Sequence, residues 1–378
     1  MSVVHVAVVA LACGTAAAVM AQGQQQRPPT SYATFGELFD EYRRGDAVAA
    51  ATEFGQWPDK RVRSEAVLPP GVNDGPTLIA LAMFHTEAGM ATEEFGALTG
   101  GLKTAVGLGY WGLEKAYEAH SYLAYKLVED LEERAEGDED AELHRFTLNW
   151  YIVAMSFCHR WGRFPCVQSL LEKGETHFDD SAEFRLVKGS VKQNTRMTRA
   201  KANYIRYKSL QAMAQLPRWE FKQALKINPS LIEARVRLAH TTHVFLNYPE
   251  AQAEIEQALA EARAARDMFS TYVAGLVLGE LHEDAGRLRE AAVAYQIAVD
   301  AQPAHIASVA LGQALVRLGR RDEGLDVGRR MFGFEGPGVD PIPDPYAMYH
   351  FAQSWQTPDR LEWMRAMGRL PQEASGRR

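Results

Sequence analysis

Apolar residues recur along this chain at helical spacing, and alternation at strand spacing is almost absent. Phe35, Leu38, Phe39 and Tyr42 fall on one helix face, and Arg44, Gly45 and Asp46 interrupt it. A second helix follows with Val48, Ala49 and Phe54. Helix, glycine turn, helix is the recurring unit. Leu78, Leu81, Ala82 and Phe84 mark a further apolar helix over 72–90, followed by a glycine-rich loop over 95–112. Residues 113–133 and 142–160 read as amphipathic helices. The acidic link from Glu136 to Asp140 between them is too polar to bury.

The pattern repeats most clearly between 232 and 335. One copy runs from Tyr272 to His305: Leu278 and Gly279, His282, the turn Ala285-Gly286-Arg287, then Ala291, Tyr295 and Ala298, and Pro303 as terminator. Small residues at 279 and 291 let two helices cross closely, and Leu278 and Tyr295 fill the space beside the crossing. The copy before carries Leu238, Ala239, Ala251, Ile255 and Ala258, after Phe221, Ala224 and Pro229. The copy after carries Leu311, Gly312 and the turn Leu318-Gly319-Arg320. Gly324 and Gly328 stand there at the alanine and aromatic positions, so its second helix should be weak. A degenerate copy spans 148–180 about the turn Trp161-Gly162-Arg163, with Val167 and Leu171 after it.

These spacings resemble the tetratricopeptide repeat, a helix-turn-helix unit with a period of about 34 residues. The resemblance implies an all-α fold, an α-solenoid of helical hairpins with irregular N-terminal pairs and a C-terminal capping helix. It implies little about function, because the repeat serves many partners. Asp344, Pro345 and Tyr346, then Tyr349, Leu361 and Met364, resemble the closing segment of a group of exported bacterial repeat proteins. Tyr346, Tyr349, Phe351 and Trp355 should cover the end of the last repeat. The expected division is a signal segment over 1–21, a polar lead-in over 22–33, degenerate hairpins over 34–180, the repeat array over 181–335 and the cap over 336–378.

Val3 to Val19 is apolar and ends on Val19, Met20 and Ala21, which reads as a secretory signal with its cleavage site. No Lys or Arg precedes the run, so an uncleaved anchor is the alternative. Ala10 to Cys13 resembles a lipoprotein acceptor only faintly. Export to a periplasm or cell envelope is expected, and membrane association only if this segment is kept or lipidated. Of the three cysteines, Cys158 and Cys166 would remain. They either pair across the Gly162 turn or sit as two small apolar residues in a helix contact.

Composition narrows function further. Of 378 residues 47% are hydrophobic and 24% charged, which is ample for a folded core. The net charge of −7 argues against a nucleic-acid binder. Charge is nonetheless uneven: eleven basic residues and one acid, Glu220, lie between Arg185 and Lys226, whereas eleven acids and three bases lie between Glu114 and Glu142. The basic stretch, with Arg196, Arg199, Lys201, Arg206 and Lys208, is either a face for an acidic partner or one neutralised by neighbouring acidic helices.

No motif carries catalytic chemistry. Gly107 to Gly112 matches a dinucleotide fingerprint as a string, without the strand that fingerprint requires. His85 and Glu87 lack the second histidine of a zinc motif, and a partly buried histidine capped by a neighbour is expected. No serine or cysteine has a nucleophile's context. The expectation is a non-enzyme without cofactor or metal, holding a protein or peptide in its repeat groove. The register places His240, His243, Glu280, Glu283 and Arg317 along that groove, and the two histidines with the two glutamates could also ligate a metal. The alternative is a small-molecule or glycan binder using Trp57, Tyr110, Trp111, Trp150 and Trp161.

Overall fold

A computed structural model describes residues 34–57, 59–65, 74–99, 107–135, 141–203, 207–246, 250–332, 344–350, 352 and 356–369. Every regular element among them is a helix. They are α1 (Phe35–Arg44), α2 (Ala47–Gly55), α3 (Asp59–Glu65), α4 (Gly75–Thr99), α5 (Gly107–Ala135), α6 (Ala141–Arg160), α7 (Phe164–Phe178), α8 (Ala182–Asn203) and α9 (Tyr207–Ile227). There follow α10 (Ile232–Leu246), α11 (Glu250–Ala264), α12 (Met268–Asp284), α13 (Leu288–Ala301), α14 (His305–Arg317), α15 (Arg321–Phe332), α16 (Pro345–His350) and α17 (Thr357–Met367). The fold is all-α, built from tetratricopeptide-like helical hairpins.

The chain forms two compact units, whose borders differ from those that spacing suggests. One, the repeat unit, comprises residues 155–355. The other, the N-terminal unit, comprises the described residues of 34–154 together with 356–369.

In the N-terminal unit, α4 packs along α5, and α1, α2 and α17 pack against α4. Thr34 caps α1 by accepting the Glu37 amide at 3.3 Å. The core is aromatic. Phe84 lies edge-on to Phe35, Phe39 and Tyr42, and Phe54 packs against Phe35 and Trp57. The glycine-rich stretch is shorter than its composition implies: α4 runs on through Thr99, and α5 begins at Gly107. The dinucleotide-like string therefore opens a helix, and among the described residues no strand precedes it.

In the repeat unit the hairpins α8–α9, α10–α11, α12–α13 and α14–α15 follow one another, and the first helices α8, α10 and α12 touch in succession. A single helix ending recurs. Gly162, Gly286 and Gly319 adopt φ of 69°, 73° and 80°. In each case the next amide turns back: Arg163 to Cys158 O at 2.8 Å, Arg287 to His282 O at 2.8 Å, Arg320 to Leu315 O at 2.9 Å. The same bond ends α11, from Asp267 to Ala262 O at 2.9 Å, but there Arg266 takes the left-handed position at φ 56°. A side chain in that conformation costs about 1 kcal/mol that glycine avoids. Arg266→Gly should therefore raise stability by up to about 1 kcal/mol, read as a higher thermal midpoint. An unchanged or lower midpoint would show that the arginine side chain contributes more than its backbone costs.

Cys158, late in α6, and Cys166, in α7, are disulfide-bonded across the Gly162 turn, with Cα atoms 6.2 Å apart. Of the two arrangements open from sequence, the bridge is the one adopted. The second helix of the last hairpin, expected to be weak, is formed as α15. Gly324 lets it approach α14, since a Cβ there would meet Gly312 O at 2.7 Å.

Candidate functional site

The segment expected to cap the last repeat lies elsewhere. Tyr346 and Tyr349 are buried against the first-helix face of the array, on α8, α10 and α12. Phe351 and Trp355, expected beside them, lie outside the described residues. Asp344 fixes the start of this strap. Its carboxylate accepts the Ile306 amide at 2.9 Å, in the first turn of α14, and the Tyr346 amide at 2.9 Å, in the first turn of α16. The Tyr272 hydroxyl donates to it at 3.0 Å and itself accepts the Ala307 amide at 3.3 Å. Burial pushes the Asp344 carboxyl up from its usual value, while these donors pull it back towards the charged form.

Tyr349 is wholly buried. Its hydroxyl lies 2.7 Å from His240 Nδ1, and its ring stacks on His240 with centroids 5.6 Å apart. The Arg237 guanidinium lies over the ring, 4.1 Å from its centroid. Two donors converge on the Tyr349 carbonyl, Asn194 Nδ2 at 3.3 Å and Arg237 Nη1 at 3.2 Å. Gln193 Nε2 reaches the Thr241 hydroxyl at 2.9 Å and the Tyr349 hydroxyl at 3.4 Å. Arg237 is paired with Glu233 one turn earlier at 2.9 Å, so the site buries a balanced charge pair. Burial holds the Tyr346 and Tyr349 phenols above their ordinary range, so both stay neutral donors.

The five groove residues read from the sequence do come together along this face. His240 lies beneath Tyr349, with Nε2 3.9 Å from Glu280. His243 is buried beside Asp284 at 3.1 Å. Glu283 accepts the Tyr295 hydroxyl at 2.9 Å and is paired with Arg317. Only Glu280, Glu283 and Arg317 keep substantial exposure there. Gln193, Asn194, Arg237 and Thr241 were missed by sequence reading. The nearest signal was the spacing of Arg237, His240 and Thr241, which puts all three on one face of α10.

The basic stretch divides. Arg185, Lys188 and Lys192 converge on Glu220, which is 1% exposed, at 2.9, 3.3 and 2.7 Å. Glu175 holds Lys188 at 2.8 Å, and Asp179 pairs with Arg185. These three bases are thus neutralised within the unit. Arg206 lies outside the described residues, as do the side chains of Arg196, Arg199, Lys201 and Lys208.

Other candidates are accounted for by packing. Trp57 is buried in the aromatic core, and Trp150 is buried and donates to the Thr86 hydroxyl at 2.8 Å. The side chains of Tyr110 and Trp111 lie outside the described residues. His85 is not capped by a neighbour as expected. It is buried, stacks on Phe35 and His120 at 5.7 and 5.8 Å, and its Nδ1 has no hydrogen-bond partner among the described residues. No group of three metal-ligating side chains occurs among the described residues, and no described helix is long and apolar enough to cross a membrane. An open groove of about 690 Å³ lies beside α13, α14 and α15, lined by Leu311, Leu315, Leu318, Arg320 and Arg330.

No family model matches the chain, and no curated protein does. Among solved structures, two of MamA, one of them a point mutant, align with 50% and 51% of this chain and with 97% and 94% of their own length. Their sequence identity to it is 16% and 17%, and both give a TM-score of 0.32, a level that bears on neither partner nor task.

Proposed function

We propose that this protein is an exported, non-enzymatic scaffold that holds a segment of another protein against the first helices of its repeat unit. One observation carries the reading. The face formed by α8, α10 and α12 already holds a peptide segment, the strap at 344–350, and holds it by backbone as well as by side chain. A surface that offers Asn194 and Arg237 to a main-chain carbonyl is suited to peptide rather than to a small metabolite. The Cys158–Cys166 bridge supports an oxidising compartment such as a periplasm or envelope, in keeping with the apolar segment at 3–19.

A photo-crosslinking amino acid at Glu280, which borders the strap, should capture a protein partner in the native envelope. The same probe at Val293, exposed on α13, should not. Capture at Val293 and none at Glu280 would move the partner to the outer face and defeat this reading.

A further inference from the structure

Tyr349 has no exposed surface, yet the groups that hold it are mostly polar. Gln193 and His240 address its hydroxyl, Asn194 and Arg237 its carbonyl, and the ring of His240 and the guanidinium of Arg237 pack on its ring. The hydroxyl and the ring are tyrosine's own, whereas the carbonyl is main chain that any peptide would offer. Tyr346 stacks on Tyr349 at 5.7 Å with the rings 17° from parallel, which a spacing of three residues on one helical turn produces. Asp344 completes the set by seating its carboxylate on the first turn of α14. The helix between, α16, has six residues. That is well short of the dozen or so a helix needs to persist in water, so the pocket shapes the strap rather than receiving it preformed.

We propose that this pocket is a tyrosine-recognition site for a partner segment of the form Asp-x-Tyr-x-x-Tyr, and that the chain's own residues 344–350 occupy it as a resident competitor. This rests on the reading of the first-helix face as a peptide-binding surface and names what that surface selects. A tethered competitor acts at an effective concentration set by its connections, so the apparent affinity for any free segment is scaled down to the fraction of time the pocket is vacant.

The test uses the full chain and a fluorescent synthetic peptide with the sequence of residues 344–352. Binding is read as anisotropy, against wild type and against the double variant Tyr346→Ala with Tyr349→Ala. The vacated chain should bind the peptide at least about ten-fold more tightly than wild type. A peptide with phenylalanine in place of its second tyrosine should lose several-fold, and one with alanine at both tyrosines should not bind. A vacated chain with a wild-type helical spectrum and no saturable binding overturns the proposal. If the double variant loses its helical spectrum, hydrogen exchange on wild type decides. Excess unlabelled peptide should speed exchange at the 346–350 amides, and unaltered exchange overturns the proposal. Crosslinks at Glu280 that form while the peptide neither binds nor competes refute the tyrosine pocket and leave the scaffold reading standing.

Discussion

Gly279→Leu should strip the hairpins α12–α13 and α14–α15 of their protection while leaving α4 and α5 intact. A Cβ at 279 would fall on the ring of Tyr295, with the ring's Cζ only 2.8 Å away. That ring has nowhere to go: it is 1% exposed, and its hydroxyl is fixed to Glu283 at 2.9 Å. One turn earlier Gly275 is also closely packed, though less severely, since a Cβ there would meet Ala294 O at 3.0 Å and Ala298 N at 3.1 Å. The α12–α13 crossing is thus set by two hydrogens that leucine would replace with a branched chain. Overpacking of this kind costs about 1–3 kcal/mol, and the upper end applies where neighbours are fixed. Because each hairpin stacks on the next, the loss should reach α14 and α15. Hydrogen exchange resolved by segment is the measurement, since a chain of two units does not unfold in one transition. Parent-like protection of α12–α15 in the variant would show that the crossing is looser than described.

Acid should undo the N-terminal unit at a pH where most helical proteins are still intact. His85 and His120 lie side by side in its aromatic core, and Phe54 packs on both. Burial lowers His85 to about 3. Burial first, and the neighbouring His85 second, hold His120 well below its ordinary value. Both are therefore neutral in the folded unit but titrate near 6.5 when unfolded. The unfolded chain binds more protons below that value, so stability is highest above about 6.5 and falls as the pH drops towards 3. The loss is roughly 1 kcal/mol or a little more per pH unit for each histidine. Between pH 7 and pH 4.5 the melting temperature of this unit should fall steeply. His85→Phe with His120→Phe should flatten that dependence. What slope remains would belong to other titratable groups of the unit. A pH-independent wild-type midpoint, or an unchanged slope in the double variant, would contradict this account.

Local rules made much of the array legible. Gly279, Ala291 and Tyr295 lie within one hairpin, so their spacing alone reports the crossing, and the glycines at 162, 286 and 319 announce helix endings because a left-handed residue is needed there. The same logic found His240, His243 and Glu280 on the groove face. It could not find what covers His240, because Tyr349 is 109 residues further along and no periodicity links them. Asp344 was read as the start of a cap for the same reason. Its aspartate-proline-tyrosine signature is local, but its amide donor Ile306 is reached only through the fold. His85 was misjudged because a polar residue on an apolar helix suggested a partner, whereas the surrounding phenyl rings enclose it and leave its Nδ1 without one among the described residues.

The N-terminal unit is also assembled out of order. Arg365 of α17 pairs with Glu87 of α4 across 278 residues of sequence, and Gly368 rests on the α4 backbone at Ala80. The whole repeat unit lies between those two strokes of chain. A ribosome, or a translocation channel delivering the chain from its N-terminus, releases α4 long before α17 exists. Until then Glu87 lacks its arginine, and the small residues about Ala80 face water. Closing so long a loop adds little equilibrium cost, since that cost grows only with the logarithm of length. It adds delay, and an interval during which the half-built unit is open to chaperones, proteases and its own neighbours. A premature stop after residue 355 would therefore spare the repeats and injure the opposite end of the sequence.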